Sequence, residues 1–469
     1  MPPTSHRYPI TRPGRPRALA AAMALALGLG GAFGARAQSL QELYEAAHGY
    51  DATYLSARSA LDAAQYRLDQ QRGVNLPQVG LAMSVGQTTS SSPEATSTLS
   101  SNTLNARSNA YSATVNGTQS LFNRTNDVAI QQSEKAVDAF RADLDAAEQD
   151  LILRVSQAYF DVLAAQDNLA TARASLTAIS EQVASAKRNF EVGTATITDT
   201  REAQARYDLA RFTQIQAEND LTTKRILLDQ TVGRANIAPN QLAAPLAMPA
   251  LMPANVDDWV ARAEAEHPLI RKARIALEIA RLDTDKAKAG RLPTVALNAS
   301  VGRSYSAAYG AVSAGGAGFP FASQTPNLTG SVGVTLNLPL FTGFQIQNRI
   351  KETLVLEDKS TNDLDAARRG VIQLTRQLYY QVGSAGAQVS ALEAAESSSK
   401  LALEATQLGF KVGVRVNIDV LNAQAQLYTT QAQLAKARYD LIMAGLRLRQ
   451  ASGRLTPGDV TSVNGLLLR

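Results

Sequence analysis

The chain has 469 residues, three histidines, no cysteine and a formal charge of +5. The lack of cysteine excludes disulfides, thiolate metal sites and a lipidated N-terminal Cys. The charge resides at one end. Arg7, Arg12, Arg15, Arg17 and Arg36 are the only charged residues among the first 37, so the rest of the chain is close to neutral and its basic pI gives no case for nucleic-acid binding.

Residues 1–37 read as a signal peptide: an arginine-bearing n-region, an apolar run from Ala18 to Gly34, and Ala35-Arg36-Ala37 as the cleavage signal before Gln38. A membrane anchor is the rival reading, but the apolar run falls short of a comfortable span. No later stretch of 18 apolar residues occurs, so the exported chain enters a membrane only as strands.

An opening helix is predicted from Ser39 to Arg72. Residues 76–121 then carry only Glu94 and Arg107 as charges, and their period is two: Val79, Leu81, Met83 and Val85 alternate with Gln78, Gly80, Ala82 and Ser84. One face apolar and the other polar but uncharged is the pattern of a membrane-barrel hairpin, here around a presumed outer loop "TTSSSPEATSTLSSN". A soluble sandwich or a disordered linker is the alternative. From 124 to 190 the period becomes helical, with apolar or small residues in a 3-4 rhythm and one extra step of four between Leu151 and Val155. Such a stutter straightens a supercoil, and the many Ala positions allow close helix approach. A tip at 191–199 and a return helix at 199–232 follow. Gly193 suits the left-handed end of one helix, and Asp199 with Glu202 reads as the capping start of the next.

A Pro-rich segment, 235–256, cannot continue a helix, and after it the plan repeats. "FEVGTATITDTREAQARYDLA" from Phe190 and "FKVGVRVNIDVLNAQAQLYTT" from Phe410 align without a gap. "LPQVGLAMSVG" from Leu76 is echoed by "LPTVALNASVG" from Leu292, Leu121-Phe122 by Leu340-Phe341, and Gly233-Arg234 by Gly453-Arg454. The chain is therefore read as repeat 1 (38–234), linker (235–256), repeat 2 (257–454) and tail (455–469). Repeat 2 has a helix carrying Trp259 near the waist, a hairpin at 292–341 whose only charge is Arg303, a long helix at 345–410, a tip at 411–419 and a return helix at 419–452.

At about 1.5 Å per residue, the long helix of repeat 1 spans roughly 100 Å and the return and opening helices about half of that each. One long helix can run beside two half-length ones stacked end to end, with strands at one end of the rod and tips at the other. Four strands cannot close a barrel, and free strand edges are not tolerated in hydrocarbon. Several chains must pool their hairpins, and a dimer with eight strands and a trimer with twelve are the smallest solutions. The competing reading is a periplasmic coiled-coil structural or adhesive protein with no channel activity.

These features together resemble the TolC-type outer-membrane channels of Gram-negative bacteria, over essentially the whole exported chain. The resemblance implies a mixed α and β fold: a homotrimer with a twelve-stranded transmembrane β-barrel continued by a long periplasmic α-helical barrel. It also implies docking onto a periplasmic adaptor protein driven by an inner-membrane ABC exporter or proton-driven pump, with proteins or small molecules as cargo. In the family the periplasmic entrance is narrowed by acidic rings and held shut by polar links between tips. Asp419 matches the first ring position, and the second is Asn422 here. Arg415 matches a basic gate residue with Asp199 as its expected partner from the other tip, and Phe410 stands where the family has a tyrosine. The plainer reading of Asp199 and Asp419 is helix capping, and of Arg415 a solvated charge. Gly193, Thr194, Gly413 and Val414 are the expected adaptor contacts.

Nothing reads as an enzyme. His48 and His267 lack H-E-x-x-H spacing, no G-x-S-x-G or Walker loop occurs, and "AGGAG" at Ala314 to Gly318 lacks the strand and helix a phosphate cradle needs. No cofactor or metal is expected.

Overall fold

Two helices set the frame. In the computed structural model, which describes residues 38–95, 101–243, 252–314 and 317–468, α3 (Arg124–Glu191) and α7 (Gln345–Lys411) run for 68 and 67 residues, about 100 Å each. The signal segment, the centre of the Pro-rich linker and the hairpin ends at 96–100 and 315–316 lie outside the described residues. The other elements are α1 (Leu40–His48), α2 (Ala52–Gly73), β1 (Gln78–Ala95), β2 (Ser101–Phe122), α4 (Ile197–Val232), α5 (Val256–Glu266), α6 (Pro268–Ala289), β3 (Thr294–Ala314), β4 (Ala317–Asn337), α8 (Asn417–Ala451) and α9 (Pro457–Asn464).

The strands form one antiparallel sheet in the order β1-β2-β3-β4. Its register sets Leu81 against Val115, Val115 against Val301 and Val301 against Gly330. The rows above and below hold the other apolar residues of the period-two tracts, and the intervening rows hold Ser84, Ser112, Ser300 and Ser331, whose hydroxyls pair at 2.8 Å across the strands. Among the described residues, the tracts expected as long outer loops are strand. The strands continue to Ala95 and Ala314 and resume at Ser101 and Ala317. In the first hairpin alternation is lost there because the tract is Ser/Thr-rich on both faces, yet the ladder still satisfies the backbone.

The opening helix is also not continuous. Gly49 and Tyr50 break it, and Asp51 caps α2 by accepting from the Tyr54 N–H at 2.8 Å. The same carboxylate accepts from Arg154 on α3 at 2.7 and 2.9 Å. In repeat 2 the break falls at His267-Pro268, where proline suits the first turn of α6. Each break receives the end of a return helix. Gly233, at φ 74°, ends α4 so close to Tyr50 that an added Cβ would lie 2.4 Å from its ring, and Gly453, at φ 73°, ends α8 where a Cβ would meet the His267 backbone at 2.7 Å. This is why Gly-Arg recurs in the two copies.

Lengthwise, α2 and α4 follow one another along one side of α3, while α6 and α8 follow one another between α3 and α7. The core is thickest at the waist, where Leu40, Leu43, Leu151, Val155, Tyr159 and Leu228 are wholly buried. The Tyr159 hydroxyl donates to the Asn240 carbonyl at 3.0 Å, fastening the linker to α3. Within residues 455–469, expected as a tail, Pro457–Asn464 form α9, which lies on α1: the Leu40 N–H donates to Asn464 Oδ1 at 3.1 Å. Val460 and Val463 on its apolar side complete the core. Trp259 is buried against α7 and α8 and donates to the Pro253 carbonyl at 2.8 Å.

Two outcomes are expected. Gly233→Ala and Gly453→Ala each destabilise the waist by more than the roughly 1–2 kcal/mol of a left-handed backbone, because the close approach adds to it; thermal loss of protease resistance measures this. Arg154 hydrogen bonds hold the Asp51 carboxyl below its usual value although burial opposes this. Its contribution is therefore intact above about pH 4 and is lost as pH falls through the folded value. Asp51→Asn is expected to weaken protease resistance at neutral pH and to flatten its loss in acid.

Candidate gate at the helical tips

Both tips are built alike. At the first, Gly193 (φ 76°) lets the Thr194 N–H reach back to the Asn189 carbonyl at 2.8 Å; at the second, Gly413 (φ 80°) lets Val414 reach Gly409 at 2.9 Å. An added Cβ at either glycine would meet nothing within 4 Å, so the requirement is conformational. Val192, Val412, Val414 and Val416 stand exposed around the turns.

The return helices start two residues earlier than expected, and this changes the role of each aspartate. Thr196 is the N-cap of α4 and Asp199 its third residue. The Asp199 carboxylate accepts from the Thr196 N–H at 2.9 Å and from its hydroxyl at 2.8 Å, while the Thr196 hydroxyl accepts from the Asp199 N–H at 3.2 Å. This is a capping box, and it occupies one Asp199 oxygen twice. In the second tip Val416 stands at the N-cap position. It has no hydroxyl, so Asp419 keeps only the Val416 N–H at 3.4 Å and an ion pair with Arg415 at 3.6 Å. Arg415 is exposed and Asp419 half-buried, so the pair contributes little in water. Arg415 thus meets Asp419 of its own tip within the chain, not Asp199 as expected from the sequence. Phe410 is half-buried and offers no hydroxyl.

Contact between the two tips comes, Asn422 apart, from residues that the sequence did not single out. Leu421 at the start of α8 is 1% exposed and wedges between α3 and α4, against Ile179, Val183, Ala186 and Ala203. Two polar links flank the wedge. Arg206 Nη2 donates to Asn422 Oδ1 at 2.9 Å, and Gln182 Nε2 donates to Asn417 Oδ1. Asn422, expected as a weakened acidic ring, is therefore half of a clasp between repeats. Leu421 could have been found as an apolar position in phase with Ile418; Arg206 and Gln182 carry no sequence signal. Asn417 Nδ2 and Gln424 Oε1 are buried beside the wedge without hydrogen-bond partners.

Above the tips a groove of about 890 Å³ runs between α3, α4 and α8. Its walls include Asp161, Asp220 and Asp440 together with Lys224, Lys436 and Arg206, and Lys224 pairs with Asp161 at 2.9 Å. The hydrogen bond to Asp161 holds the Lys224 ammonium above its usual pKa although burial opposes this. Cations and anions balance on these walls, and no group of three or more His, Cys, Asp or Glu that could hold a metal occurs among the described residues.

The family model described as "Outer membrane efflux protein" matches residues 35–234 and 259–454. The chain is 34% identical over 317 residues to the outer membrane protein TolC of Vibrio cholerae, covering 68% of this chain and 70% of that one. It is 34% identical over 322 residues to the alkaline protease secretion protein AprF of Pseudomonas aeruginosa, covering 67% of this chain and 64% of AprF. Among solved structures, the outer membrane protein VceC of Vibrio cholerae matches at a TM-score of 0.69 and 20% identity, covering 88% of this chain and 96% of VceC. The open-state MtrE channel of Neisseria gonorrhoeae matches at 0.67 and 21% identity, covering 89% and 90%. The chain belongs to the outer membrane efflux protein family, the TolC-type channels, and is an outer-membrane export channel rather than an enzyme.

Proposed function

We propose that three copies of this chain form a passive exit duct for a tripartite export system, serving type I protein secretion or multidrug efflux. One observation carries the assembly: β1 and β4 are free edges of a sheet whose outer face is apolar. Edges in hydrocarbon must be paired, and three four-stranded sheets give the twelve strands of the family's barrel. The helical wall supports the same closure. Its outermost helices expose apolar side chains near the same end of the rod, Leu209, Phe212 and Ile215 on α4 and Leu401 and Leu408 on α7, so that α7 of one copy would cover α4 of the next. The balanced charges of the groove suit the lining of a conduit that does not hold its cargo.

At the entrance, three Asp419 carboxylates would converge as a single acidic ring, with Arg415 beside each. The Leu421 wedge, with the Arg206–Asn422 and Gln182–Asn417 links, would hold each chain's second tip against its first. The unpaired amide atoms of Asn417 and Gln424 each cost about 1–3 kcal/mol, which keeps this packing separable. The exposed turns at Gly193, Thr194, Gly413 and Val414, with their ring of valines, are where a periplasmic adaptor would dock, bringing with it an inner-membrane ABC exporter or proton-driven pump.

Planar-bilayer recording of the purified protein tests the duct. Discrete channels from a heat-modifiable trimer are expected, and a soluble monomer without conductance would sink the proposal in favour of the coiled-coil alternative. Arg206→Ala and Leu421→Ala are each expected to raise the single-channel conductance several-fold by loosening the closed tips. Asp419→Asn is expected to lower cation selectivity, most clearly at low ionic strength, where the Debye length reaches about 30 Å in 0.01 M salt.

A further inference from the structure

Two arginines stand on the apolar face of the sheet, where a membrane barrel has least use for charge. Arg303 on β3 is in register with Ala113 on β2 and Leu328 on β4, and Ala113 with Met83 on β1. The same-face row below it is Leu81, Val115, Val301 and Gly330; the row above is Val85, Tyr111, Tyr305 and Pro326. Arg107 lies three same-face rows higher, in register with Tyr309. Arg303 is exposed and has no carboxylate partner among the described residues. Because β2 and β4 flank β3, no strand added by a neighbouring copy lies beside it.

Height decides what this cation meets. Val295 to Tyr305 is ten residues, about 33 Å along the strand. A tilt of about 35–45° reduces this to about 25 Å, the height of an outer-membrane apolar band. The ends are marked by aromatic side chains. Phe122, Phe341 and Phe344 are exposed at the lower rim, and the Tyr111 and Tyr305 rings lie 6.3 Å apart at the upper one. Arg303 sits about 5 Å below that tyrosine rim, within reach of a side chain that lays its stem on apolar surface and lifts its head to the interface. A guanidinium there, over hydrocarbon and under two phenols, complements an amphiphile with an anionic head and acyl chains.

We propose that Arg303, framed by Tyr111 and Tyr305, is a binding site for the phosphate of an outer-leaflet lipid. The planar guanidinium takes two phosphate oxygens, the tyrosine hydroxyls donate to the same head, and the acyl chains run down over Val301, Leu328 and Val332. The site rests on the barrel reading above, because only a sheet that faces lipid brings this partner to Arg303.

The test is native mass spectrometry of the detergent-solubilised protein titrated with diphosphoryl lipid A. Wild type is expected to retain the lipid. Arg303→Leu suits a hydrocarbon-facing position and is expected to lower retention about tenfold, with heat-resistant assembly and conductance unchanged. Arg303→Lys keeps the charge without the planar fork and is expected to recover part of the retention. Equal retention by wild type and Arg303→Leu would overturn the site, as would equal retention of phosphatidylcholine in place of lipid A. Displacement of the lipid by excess inorganic phosphate would overturn the lipid as its occupant. Failure of the barrel itself shows separately, as absence of conductance in wild type.

Discussion

The backbone of a strand in hydrocarbon has no water to bond to, and that constraint organises this protein. A sheet of four strands leaves two rows of unpaired N–H and C=O groups, at β1 and β4, each group costing several kcal/mol if left in lipid. Only other copies of the chain can satisfy them. Once the sheets are joined, the helices below are drawn into a ring. The apolar faces that α4 and α7 leave open then become seams between copies. Strand-edge pairing and helix-seam burial point to one assembly.

The same economy appears at the waist. A rod of about 100 Å needs its half-length helices to meet without slipping, and the meeting points are fixed by backbone shape. Gly233 and Gly453 turn out of α4 and α8 with left-handed backbones and press against the breaks at Tyr50 and His267. Asp51 and Arg154 then tie the first break to α3 at 2.7 Å. Because α1, α9 and the linker wrap this level, the first and last described segments of the chain are held in one core. The waist is a clamp around the long helices.

Much of this was legible from residue types. The change from period two to period three-and-a-half located strands and long helices, and the repeated Gly at 193 and 413 placed the tips. The failures have physical causes. One glycine costs a helix only about 1 kcal/mol, so Gly49 gives no strong signal of the break, and the Gly233 that packs against Tyr50 there is distant in sequence. The Ser/Thr-rich tracts read as loops because strand alternation vanishes once neither face is buried. Tail residues 455–469 showed too short a pattern to reveal α9. At the tips the sequence singled out Asp419, Arg415 and Asn422 but neither the Arg206 partner of Asn422 nor the Gln182–Asn417 link, since these acquire meaning only where two helical hairpins touch.

Duplication explains why the two tips are alike in shape and unlike in chemistry. In the first, Thr196 binds the Asp199 carboxylate into a closed capping box through one of its two oxygens. In the second, one residue differs at the cap: Val416 offers no hydroxyl, and Asp419 is left with a single long backbone contact and a weak ion pair. The exchange weakens the start of α8 by something near the ~1 kcal/mol typical of a lost N-cap, and it frees a carboxylate. It also leaves that turn dependent on burial of Leu421 in the first hairpin in place of its own cap. The first tip is thus secured by its own cap, and the second by the hairpin it packs against.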